Sequence, residues 1–113
     1  MTPTGALCFS VRYSVHSNSL NVRVMKAKGL ACVGWQRNTS NPYVKTYLLP
    51  DLLRTSKRRT GYKIGTTAPV WNETIRYDMG REDVQKKTLR VSVWNYDKNE
   101  RNDFLGEVLV SVL

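Results

Sequence analysis

Basic side chains that could bind phosphate are concentrated in the middle of the chain. Residues 52–72 contain no acidic residue and five basic ones, namely Arg54, Lys57, Arg58, Arg59 and Lys63. Because a strand alternates its side chains between two faces, Lys57, Arg59 and Lys63 would share one face. Arg58 would point the other way. Over the whole chain, 18 Lys and Arg outnumber 9 Asp and Glu, for a net charge of +9. This excess predicts a polyanionic partner, either a nucleic acid or an anionic membrane surface.

The sequence lacks the motifs of an enzyme, of a metal site and of a membrane-spanning helix. The sequence has no nucleophile elbow and no phosphate-cradling glycine loop, so we expect no enzyme activity. Cys8, Cys32 and His16 are the only cysteines and histidine, and they lack the spacing of a metal site, so we expect no cofactor. No apolar run approaches the about 20 residues of a membrane-spanning helix. Two thiols and no secretory signal predict a reduced, cytoplasmic protein.

Alternating apolar residues dominate the elements that must position these side chains. In residues 7–13, Leu7, Phe9, Val11 and Tyr13 share one face, which is typical of a half-buried strand. Similar patterns, separated by Gly, Pro, Asn and Asp, predict seven strands at residues 7–13, 20–26, 43–49, 57–64, 72–78, 89–94 and 104–112. A helical turn or two is expected within residues 80–87. Short strands at this spacing predict one all-β domain over residues 1–113, a sandwich or barrel, with residues 1–4 as a loose tail.

Five ordered motifs between Gly5 and Leu113 resemble the C2 domain, and most of all those of the synaptotagmin-like proteins. They are Asn-Pro-Tyr-Val-Lys-Thr-Tyr-Leu-Leu-Pro-Asp at residues 41–51, Lys-Arg-Arg-Thr at 57–60, Pro-Val-Trp-Asn-Glu at 69–73, Asn-Glu-Thr-Ile-Arg-Tyr at 72–77 and Trp-Asn-Tyr-Asp-Lys-Asn-Glu-Arg-Asn-Asp-Phe-Leu-Gly at 94–106. The resemblance implies an antiparallel eight-stranded β-sandwich. Seven strands are readable in this chain, so the last is expected to be missing from it.

The resemblance also implies a calcium site from which acidic ligands have been lost. In the family, aspartates from two loops bind the metal. Here Asn41 and Asn95 stand at two of those positions, residues 31–40 contain no acid, and only Asp97 and Asp103 remain. Calcium affinity depends on ligand charge, and about −2 replaces the family's about −5. We therefore expect no bound metal, and interpret Asp97 and Asp103 as turn residues that bond their own loop.

A phosphoinositide site is the second implication of the resemblance. Some C2 domains bind phosphatidylinositol bisphosphate on a concave face. The corresponding positions in this sequence are Tyr43, Lys45, Lys57, Arg59, Trp94 and Asn102, with Lys63 and Arg58 as supporting basic residues. Ordinary solvated charge on strands, with Trp94 in the core, is the alternative. In the first loop, Val33 and Trp35 could insert into the bilayer, or Trp35 could fold back over the sandwich.

These features predict a peripheral membrane protein of exocytosis. We expect calcium-independent binding of phosphatidylinositol bisphosphate and phosphatidylserine, at the plasma membrane or secretory vesicles. The alternative is a protein-interaction module that grips acidic partners such as SNARE proteins. Rab-linked proteins would bind through other parts of the parent chain. Nucleic-acid binding would explain the charge, with aromatic residues as stacking platforms, but no nucleic-acid motif is present, so no nucleic-acid partner is expected.

Overall fold

The fold consists of two antiparallel sheets packed face to face. A computed structural model describes residues 5–32, 40–98 and 102–112. Sheet A has the strand order β1-β2-β5, and sheet B has the order β4-β3-β6-β7. The strands are β1 (Ala6–Ser14), β2 (Ser19–Lys28), β3 (Pro42–Leu49), β4 (Arg58–Arg59), β5 (Val70–Asp78), β6 (Thr88–Asn95) and β7 (Asp103–Ser111), and one short helix, α1 (Arg81–Val84), precedes β6.

The core lies between the sheets and is built from the inward side of each alternating pattern. Val22 and Val24 of β2 and Val44 of β3 are fully buried, as are Leu89 and Val91 of β6. Each such side chain contributes about 1.5–3 kcal/mol relative to an exposed position. The outward residues between them are left on two broad surfaces, one on each sheet. The predicted all-β antiparallel sandwich is confirmed. The described residues contain seven strands, and an eighth is not among them.

The fourth strand is much shorter than predicted, and Thr60 is the reason. Instead of residues 57–64, only Arg58–Arg59 pair with β3. Thr60 is 2% exposed, and its hydroxyl accepts the N–H of Val44 at 3.0 Å, although a regular ladder would use a backbone carbonyl there. Beyond that point the chain follows β3 through isolated bonds, such as Lys63 N to Pro42 O at 3.0 Å. The prediction that Lys63 lies on a strand was therefore wrong.

Candidate functional site

The outer face of sheet B brings residues from three strands side by side. Lys45 of β3 pairs with Arg59 of β4, and Tyr43 pairs with Trp94 of β6. Directly paired residues on neighbouring strands have side chains about 5 Å apart on the same face. Four of the six residues assigned to the headgroup site are thus neighbours because of register alone.

Lys45 and Arg59, two of the cations of this face, lie over aromatic rings. The Lys45 ammonium is 4.3 Å from the Trp94 ring centroid and 5.9 Å from that of Tyr43. The Arg59 guanidinium is 5.7 Å from the Tyr43 centroid. Such cation–π contacts attract the cations to the ring faces and restrict the side chains. Tyr43 itself is only 1% exposed, so it supports the cations from beneath and does not reach solvent.

Lys45 is surrounded by like charge. Its pKa is lowered, first by burial and then by the charges of Lys57, Arg59 and Arg90. Among these four residues, which we call the basic cluster, Arg90 has a carboxylate partner: its Nε is 3.2 Å from Glu107 Oε1. Arg90 was absent from the sequence prediction. It could have been found, because it alternates with Ser92 and Trp94 on β6 and therefore shares their face.

Asn102 connects Tyr43, which lies beneath the basic cluster, to the loop after β6. Its amide donates to the Tyr43 hydroxyl at 2.8 Å and its carbonyl oxygen accepts the N–H of Asp97 at 2.9 Å. Both polar groups of the Asn102 side chain are therefore engaged within the protein, where they connect the loop after β6 to Tyr43. Trp94 is half-buried and is held by its indole N–H, which donates to Ser92 Oγ at 2.9 Å.

The two supporting basic residues differ in their placement. Arg58 lies on the opposite side of β4 from Arg59, 4.9 Å from the Tyr77 ring centroid, and donates to the Thr55 carbonyl at 2.7 Å. It is therefore directed away from the basic cluster, as strand alternation predicts. Lys63 follows the end of β4 and is half-buried in the loop that leads towards β5.

The positions that the family resemblance assigns to calcium ligands are joined by amide hydrogen bonds. Asn95, 4% exposed, accepts the N–H of Asn41 at 2.7 Å and donates to Asp103 Oδ2 at 3.2 Å. Asn41 accepts the N–H of Gly65 at 2.8 Å and donates to the Tyr96 carbonyl at 3.3 Å. The Asn95 amide N–H thus points at the Asp103 carboxylate, and the two asparagines supply uncharged amide groups. This donor set does not fit calcium, which requires six to eight oxygens.

The described residues outside these loops also lack the features of a metal site. Within residues 5–32, 40–98 and 102–112, no group of three or more His, Cys, Asp or Glu side chains is arranged to hold an ion. The same residues include no helix long and apolar enough to cross a membrane. The predicted membrane-loop residues Val33 and Trp35 lie outside the described residues.

One exposed apolar residue near the loop ends was missed in the sequence. Ile64 is 80% exposed and lies between Lys63 and Gly65. Beside it, Tyr62 stacks on Tyr96 with ring centroids 4.1 Å apart and planes at 10°. The only signal in the sequence was a single isoleucine in a polar loop, because the stack joins segments far apart in the chain.

The fold and its loops define the class of protein. A family model described as the C2 domain matches residues 18–113, so this chain belongs to the C2 domain family. It is 42% identical over 106 residues to synaptotagmin-like protein 1 of Mus musculus, covering 94% of this chain and 18% of that relative's length. The C2 domain designated A in RIM from Drosophila superposes with a TM-score of 0.88 at 34% identity, covering 97% of this chain and 87% of that one. The corresponding domain of RIM2 gives 0.80 at 31% identity, over 95% and 84%.

Proposed function

We propose that this C2 domain binds anionic phospholipid without calcium and prefers the phosphatidylinositol bisphosphate headgroup. The observation that carries the proposal is the basic cluster, in which Lys45 pairs with Arg59 across β3 and β4 and lies within the electrostatic reach of Lys57 and Arg90. The carboxylate of Glu107 is bonded to Arg90. In this role the domain would attach a trafficking protein to the inner surface of the plasma membrane.

Repulsion within the basic cluster favours a multiply charged ligand. The lowered pKa of Lys45 reflects burial and neighbouring positive charge that a phosphate group would neutralise. Arg59 can bind phosphate through two parallel N–H groups, which a lysine cannot do. Each basic residue near an anionic surface contributes about 1 kcal/mol, so the diffuse charge of the domain adds affinity for phosphatidylserine as well.

Calcium independence is supported by the amide network at the loop ends. The bonds from Asn41 to Gly65 and Tyr96 and from Asn95 to Asp103 connect the segments that a metal ion connects in calcium-binding members. The loops are therefore joined without an ion. Asparagine at positions 41 and 95, in place of the family's aspartate, also removes negative charge that would repel an anionic membrane.

Ile64 is an exposed apolar side chain that would enter the bilayer from the loop after β4. It is exposed, follows Lys63 and lies two residues after Tyr62, which stacks on Tyr96. Tyrosine favours the interfacial zone, where an apolar ring and a polar hydroxyl are both accommodated. Insertion of Val33 and Trp35 stays a prediction of the sequence.

The test is liposome sedimentation with two double variants of equal charge. Lys57→Glu with Arg59→Glu should abolish the preference for phosphatidylinositol bisphosphate over phosphatidylserine, in calcium and in chelator alike. The matched control is Arg23→Glu with Lys26→Glu on sheet A, where both residues are exposed. It lowers the net charge equally and should keep the preference. Arg58 is a poorer control because it also holds the Thr55 carbonyl. Equal loss in both variants, or a strong calcium requirement, would contradict the proposal.

A further inference from the structure

Sheet A carries a second cationic surface, on the opposite side of the sandwich from the basic cluster. Its outer face is made of rows of paired residues that run across β1, β2 and β5. One row joins Arg12, Asn21 and Arg76, and the next joins Ser10, Arg23 and Thr74. The exposed cations of this surface are Arg12, Arg23, Lys26, Lys28 and Arg76.

The three strands carry two carboxylates, and each already binds a partner within the domain. Their carboxylates are Glu73 and Asp78. Asp78 pairs with Arg76 at 2.7 Å. Glu73 accepts the N–H of Gly61 at 3.2 Å, which directs it towards the loop after β4. Arg12, Arg23 and Lys26 are thus left to form a positive field on the outer face of sheet A.

An apolar groove lies at one end of the cationic surface. It has a volume of about 420 Å³ and is lined by Ala6, Leu7, Cys8, Lys26, Ala27, Lys28, Ala68 and Val70. Val70 is 53% exposed, although it is a large hydrophobic residue. This volume is within the range of about 300–1,000 Å³ that is typical of ligand pockets. The two lysines stand at the rim of the groove, where carboxylates next to an apolar anchor would meet them.

We propose that the outer face of sheet A is a docking surface for an acidic polypeptide segment that carries an apolar side chain. The carboxylates would pair with Arg12, Arg23 and Lys26, and the apolar side chain would enter the groove beside Val70. The surface is independent of the basic cluster, so the domain can hold a protein on one side while its other side is on the membrane.

The shape of the surface favours a polypeptide over a second membrane. A bilayer is entered by apolar side chains that project from a protein, as Ile64 does at the loop ends. On sheet A the apolar area is instead recessed between β1, β2 and Ala68. A recessed apolar groove binds a side chain that projects from its ligand. The surface of a membrane instead presents phosphate groups to the protein. Polypeptides combine such an anchor with closely spaced carboxylates.

The experiment uses two synthetic peptides and the two double variants. The first peptide is rich in glutamate and has one central leucine, and the second has serine in place of that leucine. Binding is measured by fluorescence anisotropy, and the site is mapped by amide chemical shifts. Arg23→Glu with Lys26→Glu should bind the leucine peptide at least about tenfold more weakly. Lys57→Glu with Arg59→Glu should bind it within about twofold of the unmodified domain.

The groove has its own control. Val70→Ser removes the apolar side chain without adding charge, so it should weaken binding of the leucine peptide and leave the serine peptide unchanged. Arg12→Glu, at the exposed edge strand, tests the same surface if the double variant does not fold. Equal losses in both double variants would show nonspecific attraction and overturn the proposal. It would also be overturned if Arg23→Glu with Lys26→Glu lost liposome binding but kept the peptide, because that result would identify a second membrane face.

Discussion

Replacing Asn95 by aspartate should convert a stabilising contact into a repulsive one. The Asn95 amide now donates to Asp103 Oδ2 at 3.2 Å, and the side chain is 4% exposed. Asn95→Asp keeps the acceptor for the Asn41 N–H but puts two carboxylates at that distance. Two ionised carboxylates cannot share such a site, so the pair would bind one proton. The free energy of unfolding should therefore fall at neutral pH.

The size of the effect follows from proton binding. Holding one proton at pH 7 on a group that ordinarily titrates near 4 costs at most about 4 kcal/mol. Losing a hydrogen bond to a charged group costs about 1.5–3 kcal/mol, so we expect a loss of about 2–4 kcal/mol at pH 7. Because the shared proton is held more tightly in the folded state, this loss should shrink by up to about 1.4 kcal/mol for each unit that the pH falls towards 4.

The assay is urea unfolding of the unmodified domain and the variant at pH 5 and pH 7. The matched control is Asn95→Asp with Asp103→Asn, which exchanges the two groups and restores one amide facing one carboxylate at unchanged charge. It should recover most of the lost stability. Millimolar calcium should partly rescue the single variant and have no effect on the double one. An Asn95→Asp domain as stable as the unmodified one at both pH values would refute the proposed role of the amide.

Two other expectations concern the loop tip and the core. Ile64→Ser should weaken binding to anionic liposomes by about tenfold, since burying an isoleucine is worth about 1.5–3 kcal/mol, and should leave thermal unfolding unchanged because the side chain is exposed. Burial raises the pKa of Tyr77, against the opposing effects of its Thr46 hydrogen bond and Arg58. Its contribution to stability should be complete below about pH 10 and be lost as the pH rises further. Tyr77→Phe should remove that alkaline loss, measured by urea unfolding across pH, while costing about 1–3 kcal/mol at neutral pH through the unpaired Ser56 carbonyl.

The sequence was sufficient for the fold and for the direction of many side chains. Alternation in residues 7–13 and 20–26 correctly predicted the inward faces of β1 and β2, because one face of each strand is buried. It failed after Arg59, where the Thr60 hydroxyl replaced a backbone acceptor. A side chain that competes for a backbone hydrogen bond leaves no mark in a hydrophobic pattern.

The candidate site was predictable to a smaller extent. Lys45 and Arg59 are neighbours because of strand register. Arg90 could have been added from the alternation of side chains along β6. The full burial of Tyr43 could not have been predicted, because its neighbours include Asn102, which reaches it from a loop distant in the sequence. Whether a tyrosine contacts a ligand or supports a lysine from beneath is decided by packing, which residue type does not specify.

The early end of β4 has a consequence for crowding on a membrane. A long, flat edge strand presents free N–H and C=O groups to which another chain can pair. Sheet B ends in a strand of two residues, Arg58–Arg59, both exposed and positively charged. Two copies brought together on one lipid patch would oppose arginine to arginine along this border, with little backbone available for pairing. The Thr60 hydroxyl that interrupts the ladder thereby leaves a neighbouring domain little backbone to pair with along this one border of sheet B.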